Sequence, residues 1–225
     1  MRRNLFYAIF ALSIMSGSAV ATTPVTPLQV VNQQDNVPQY VRDFLKTSIG
    51  KHFTQEQVMA AYRNGSPMLK TESSNIVSEV KIDEDFSKMT AGTEDAPDAV
   101  DVTYDIDNYT TLPGWGAFLT YQAGGKAYLG FDEVGEDGPG YLMTPALDLR
   151  GNDGVFKVTF RVKNINPNAQ DQVLQYFIMN DDPNNKGILS ASSLPMTTDW
   201  TDSELYVDGG VQYTSVMFLG WQGKI

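Results

Sequence analysis

VFKVTFRV, residues 155–162, alternates apolar side chains with Lys157, Thr159 and Arg161. Successive side chains of a strand point to opposite faces, so this pattern predicts a strand with one face in water and one on a hydrophobic core. Similar runs occur on both sides of it, separated by Gly, Pro, Asn and Asp. The predicted strands are residues 76–82, 117–122, 127–131, 140–149, 155–162, 173–179, 188–192, 203–207 and 214–221.

No helical periodicity separates these runs after residue 73, which argues against alternating α/β architecture. Many short strands with turn residues between them favour a mainly β fold, an antiparallel β-sandwich of the jelly-roll type, over residues 74–225. The pair Gly124-Gly125 is expected to form a hairpin turn between two of these strands.

The segment 37–73 has a different periodicity and predicts a small helical hairpin before the sandwich. Pro38 suits a first helical position, and Gly50 suits the end of the first helix. Its apolar residues recur at helical spacing: Tyr40, Val41, Phe44, Leu45 and Ile49. A second helix is expected after Thr54, which forms a capping box with Gln57, and residues 64–67 (NGSP) stop it.

The first 21 residues have the organisation of a secretory signal peptide. Arg2 and Arg3 precede a mostly apolar run over residues 5–15, and Ala19-Val20-Ala21 is an A-x-A cleavage pattern. A membrane helix needs about 20 apolar residues, and this run is shorter. We therefore expect cleavage before Thr22, a polar linker over residues 22–36, and a secreted or cell-surface chain without membrane insertion.

Composition excludes several classes of site. The formal net charge of -11 disfavours nucleic acid and anionic membranes as partners. The chain has no cysteine, which excludes disulfides, thiol nucleophiles and Cys-ligated zinc. Its one histidine, His52, lies between the predicted helices, so a multi-histidine metal site is excluded and a Ser-His-Asp triad would have to reach across domains.

Three motifs follow one another in the predicted sandwich. They are Glu84-Asp85-Phe86, Leu112-Pro113-Gly114-Trp115 and YLMTPALDL at residues 141–149, and a strand follows at residue 155. In their order and spacing, residues 80–225 resemble the choice-of-anchor J and cleaved-adhesin domains of secreted Bacteroidetes proteins. The resemblance implies a galactose-binding-like jelly roll, related in shape to MAM domains.

The resemblance also implies a structural calcium near the first and last strands, with Glu84 and Asp85 at the early acidic position. Calcium takes about 6–8 oxygen ligands, which carboxylates and carbonyls can supply. The alternative is that both residues are solvated charges at a strand entrance. The family's closing acidic strand has no counterpart at residues 221–225, so its last strand is expected to be truncated or supplied differently.

Aromatic residues provide the candidate ligand-binding site. Aromatic rings stack on sugars while nearby polar groups bind hydroxyls, although most aromatics of a sandwich serve packing. Trp200 lies in a turn-like stretch, and Tyr121 and Tyr128 flank the predicted Gly124-Gly125 turn. These three are the candidate ligand-binding residues, and none is assigned to catalysis.

We therefore expect a non-enzymatic, adhesin-like module that binds glycan or extracellular protein. A passive structural domain of a surface complex is the first alternative, and it predicts no exposed aromatic cluster. A glycan-processing hydrolase is the second, and it requires two carboxylates about 5–10 Å apart across a cleft.

Overall fold

The computed structural model describes residues 37–64, 79–132, 138–165 and 173–220. All of them belong to one unit, residues 37–225. The predicted signal peptide, the predicted linker 22–36, the predicted boundary after residue 73 and the predicted truncation of the last strand at residues 221–225 all lie outside the described residues. In the described ranges the chain is mainly β, with antiparallel strand pairs that follow two short helices, as the periodicity predicted.

The two helices are α1 (Gln39–Lys46) and α2 (Gln55–Asn64). After α1 the chain passes so close to the helix that a Cβ on Gly50 would lie 1.8 Å from the Phe44 carbonyl oxygen. Only glycine fits there. The predicted capping box is confirmed: the Gln57 N–H donates to Thr54 Oγ1 at 3.2 Å, and the Thr54 N–H donates to Gln57 Oε1 at 2.8 Å.

A five-stranded antiparallel sheet forms the centre of the fold. In their spatial order, its strands are β1 (Gly116–Phe118), β6 (Tyr141–Met143), β11 (Thr214–Leu219), β8 (Val173–Asn180) and β9 (Gly187–Pro195). The six central residues of β8 are buried, because both faces of the sheet are covered.

Three further strand pairs surround this sheet. The longest joins β7 (Phe156–Val162) to β10 (Thr201–Val207) over seven residues each. A hairpin joins β2 (Thr120–Gln122) to β3 (Ala127–Leu129), and a short pair joins β4 (Phe131–Asp132) to β5 (Gly138–Pro139). Gly124 and Gly125 both have positive φ and form the predicted turn of the β2–β3 hairpin, where the Ala123 N–H donates to the Lys126 carbonyl at 2.9 Å.

The two faces of the sheet carry separate hydrophobic clusters. One face packs on the helices, where Phe44, Val58, Phe177 and Met217 are fully buried. On the other face, Tyr176, Ile178 and Val216 pack against Leu205 and Val207 of β10 and against partly buried side chains of β7. A third cluster around Met89 and Val102 covers β1 and β6 with the loops that precede β1. The β7–β10 pair therefore forms a second β layer on the face of the sheet that is opposite the helices.

Several predicted strands are shorter than expected. The predicted strand 140–149 is represented by β6, which ends at Met143. Pro145 cannot continue the strand pairing because it has no N–H to donate. Beyond it, Leu147 forms an isolated bridge to Thr214. The run 117–122 is broken at Leu119, whose φ is 45°. Of the predicted strand 76–82, residues 79–82 are not in a strand, and the remainder lies outside the described residues. No helix in the described ranges has both the length and the apolar character needed to span a membrane.

Candidate functional site

A groove of about 1490 Å³ runs along the second β layer. Every residue of two segments, 79–86 and 155–165, lines this groove. The five-stranded sheet contributes Leu142, Leu174 and Phe218 to the same lining. We call this feature the edge groove. Its volume exceeds the roughly 300–1,000 Å³ of typical small-molecule sites.

The β7 side of the edge groove is only partly buried. Phe156, Val158 and Phe160 point toward the sheet yet stay partly exposed, and Lys157 and Thr159 between them are exposed. Phe160 contacts the five-stranded sheet, since its ring centroid lies 4.9 Å from that of Phe218. The groove therefore offers apolar side chains that a ligand could cover.

A charged cluster lies at the end of the groove where β7 finishes. Glu94 Oε1 lies 2.9 Å from Lys126 Nζ, and its Oε2 lies 2.5 Å from Lys163 Nζ. The indole N–H of Trp200 donates to the same Oε2 at 3.3 Å. Hydrogen bonds from Lys163, then from Lys126, hold the pKa of Glu94 at about 2, well below its ordinary value of 4.5. We call these four residues the Glu94 cluster.

The faces of Trp200 are partly occupied by cations. Lys163 Nζ lies 5.5 Å, the Arg161 guanidinium 5.6 Å and Lys126 Nζ 5.9 Å from the ring centroid, within the range of cation–π attraction. Arg161 also pairs with Asp202 at 2.8 Å and keeps most of its side chain in solvent. A ligand that stacked on Trp200 would thus share the ring with cationic side chains.

The other two candidate aromatics lie on the β2–β3 hairpin. Tyr121 and Tyr128 are directly opposite each other in the strand pairing, and their ring centroids are 6.0 Å apart. Tyr128 lines the edge groove together with Trp200. Tyr121 is not among the lining residues and lies over Gly130, where a Cβ would meet its ring at 2.7 Å. The structure therefore brings two of the three predicted residues to one groove.

Both carboxylates of the acidic pair predicted to bind calcium accept hydrogen bonds from backbone N–H groups. Glu84 Oε1 accepts the Phe86 N–H at 2.9 Å, and its Oε2 accepts the Thr111 N–H at 2.6 Å. Asp85 Oδ1 accepts the Ser87 N–H at 2.9 Å, and hydrogen bonds from the side chain and backbone of Ser87 lower the pKa of Asp85. Phe86 between them has a φ of 55°. These carboxylates stabilise a tight turn beside the groove.

Across the residues with described positions, no three His, Cys, Asp or Glu side chains are grouped closely enough to hold a metal ion. The tryptophan of the Leu112 to Trp115 motif serves packing, because its ring meets Phe86 edge-on at 5.4 Å and Asp107 Oδ1 accepts its backbone N–H at 3.3 Å.

Sequence reasoning identified Trp200 but missed its partners Glu94, Lys126 and Lys163. Glu94 and Trp200 are separated by 106 positions, and no local pattern marks either lysine.

Comparison of the chain with protein-family models, curated proteins and solved structures gave no match in any of the three. The resemblance to choice-of-anchor J and cleaved-adhesin domains thus stays a prediction from three motifs.

Proposed function

We propose that this chain is a secreted or cell-surface, non-enzymatic, adhesin-like module that binds glycan or protein in the edge groove. The observation that supports the proposal is the groove itself, which is long, lined by partly exposed apolar side chains of β7, and ends at an aromatic ring with cations around it. Buried aromatic anchors beside charged groups are typical of residues that dominate binding energy.

The affinity test compares two aromatic substitutions. Trp200 lines the groove, whereas Tyr104 is 98% exposed and is not among the lining residues, so it provides the matched control. The full chain is screened on arrays of glycans and of extracellular proteins. Trp200→Ala should weaken binding by about tenfold or more, a loss typical of an interface anchor, while Tyr104→Ala binds like the unmodified chain.

Absence of saturable binding on both arrays would contradict the proposal and favour the passive structural role. Unchanged binding by Trp200→Ala would place the ligand away from Trp200, and an equal loss in Tyr104→Ala would show that the effect is not specific to the groove. Export is tested separately: the secreted chain should begin at Thr22, which N-terminal sequencing determines.

Calcium at Glu84 and Asp85 is also proposed. The ion should raise the midpoint of thermal unfolding, because a ligand that binds only the folded state stabilises it. A chelator should reverse the shift, and Glu84→Gln should lose the response because one charged ligand is removed. An unchanged midpoint on addition of calcium to the unmodified chain would refute the site.

A further inference from the structure

The edge groove follows the edge of β7 and not only one of its faces. Side chains of a strand alternate between faces, so contact with one face alone would involve every second residue. Here every residue from 155 to 165 lines the groove. β7 pairs with β10 along its other edge, and among the described residues no strand pairs with the edge at the groove.

From this edge we propose that the groove binds an extended polypeptide of another protein, which adds to β7 as a third strand of the β10–β7 layer. The inference rests on the proposed function and names the ligand class and the binding mode. An exposed strand edge has a row of backbone donors and acceptors and is a template for such pairing.

The backbone groups that face this ligand can be assigned. Two residues after β7, the Asn164 N–H donates at 2.7 Å to the carbonyl of Thr197, in the segment that leads into β10. Backbone groups of neighbouring residues in a strand point to opposite edges, so even-numbered residues of β7 face β10. Lys157, Thr159 and Arg161 therefore direct their N–H and C=O groups toward the groove.

Side chains determine the pattern that the incoming strand must have. Phe156, Val158 and Phe160 lie on the inner side of β7 and are partly exposed, and Leu142 and Phe218 of the sheet line the groove with them. A strand with apolar residues at every second position would cover these side chains and keep its alternate residues in water. A sugar chain offers no comparable alternation.

The charged side chains around Trp200 indicate which residues the ligand should carry at the end that lies there. Three cationic side chains surround the ring, Lys126, Arg161 and Lys163, and two carboxylates pair with them, Glu94 and Asp202. Among these five side chains the cations outnumber the carboxylates by one, in a chain whose formal net charge is -11. A partner strand with Asp or Glu at this end would complement it.

The test uses a pool of synthetic peptides of about seven residues, the length of β7, which is a usual strand length. They carry Val, Ile or Phe at alternate positions, Thr between them and Asp at one end. A matched pool is N-methylated at the amides that would donate to β7, and another has Lys in place of Asp. Binding to the full chain is measured by fluorescence anisotropy. Because each change removes backbone hydrogen bonds or reverses a charge, either one should weaken binding by about tenfold or more.

The variant Thr159→Pro removes one N–H from the groove edge, where proline is tolerated because that N–H has no role in the β10 ladder. It should lose peptide binding and keep its unfolding midpoint, which circular dichroism checks. The N-methylated peptides test the same hydrogen bonds if this variant fails to fold.

Equal affinity of plain and N-methylated peptides would overturn strand addition and leave groove binding intact. Strand addition by another protein is overturned as well if the groove takes only glycan, or if the chain dimerises through β7. Failure of every ligand, including those of the arrays, would overturn both strand addition and the proposed function.

Discussion

The two faces of the five-stranded sheet are covered in unlike ways. On the helix side, Phe44 stacks on Phe177 with ring centroids 4.2 Å apart, and both side chains are fully buried. On the opposite side, β7 has no buried residue, and its apolar side chains stay partly exposed. Both faces have buried side chains, but only on the second does a covering strand, β7, leave its apolar side chains partly accessible.

This difference separates stability from binding. Burying a large apolar side chain contributes about 1.5–3 kcal/mol, so a fully buried side chain such as Phe177 contributes more to the stability of the fold than a partly exposed side chain of β7. The apolar side chains of β7 are partly exposed, so each contributes less to the free energy of unfolding and remains accessible to a ligand. Substitutions on the two faces should consequently have different effects.

The largest effect is expected for Phe177→Ala. The side chain contacts Phe44 and Tyr62 in a fully buried site, and its removal leaves a cavity, so the free energy of unfolding should fall by about 3–5 kcal/mol. Phe160→Ala on the β7 side is the matched control and should cost clearly less, since Phe160 is partly exposed. Chemical denaturation measures both, and equal losses would refute the contrast between the faces.

A smaller effect is expected for Thr54→Ala at the start of α2. The Thr54 hydroxyl accepts the Gln57 N–H, so its loss should lower the free energy of unfolding by about 1 kcal/mol. Thr54→Ser keeps the hydroxyl and should be nearly neutral. If serine were as harmful as alanine, the cap would not be the cause.

A pH-dependent effect is expected for Glu94→Gln. The pKa of Glu94 is lowered from 4.5 to about 2 by Lys163 and Lys126, so its contribution to stability is present above pH 4.5 and is lost as the pH falls toward 2. The unmodified chain should unfold at a higher temperature than the variant at neutral pH, and the two midpoints should converge near pH 2. Thermal unfolding against pH measures this, and a constant difference would contradict it.

The smallest effect on stability is expected for Arg161→Ala. The pair with Asp202 is largely exposed, and exposed pairs contribute about 0–1 kcal/mol. Lys157→Ala, which removes the similar pair with Glu204, is the control. Stability should change little in either variant. Peptide binding should weaken more in Arg161→Ala, since Arg161 lies at the cation-rich end of the groove.

The strands of the second half of the chain were predictable because their alternation is clear. β7 begins one residue later than predicted and ends at the predicted residue, and β8 extends one residue beyond the predicted end. The break at Leu119 was not predictable, because a positive φ at leucine has no sequence signal and depends on surrounding contacts, such as the Gly130 N–H that donates to its carbonyl at 2.8 Å.

The site was less predictable than the fold. Aromatic chemistry and turn position indicated Trp200 and Tyr128, and both line the edge groove. Periodicity indicates that Phe156, Val158 and Phe160 share a face, but not how completely a second element covers that face. The Glu94 cluster depends on loops that meet only in the folded chain.

The Glu94 cluster also has a consequence for the folding pathway. Its hydrogen bond from Trp200 to Glu94 spans 106 positions, and its ion pair from Lys163 to Glu94 spans 69. Contacts between such distant positions require the closure of long loops, and non-local contacts of this kind slow folding. During synthesis, the cation-rich end of the groove cannot assemble until Trp200 has left the ribosome.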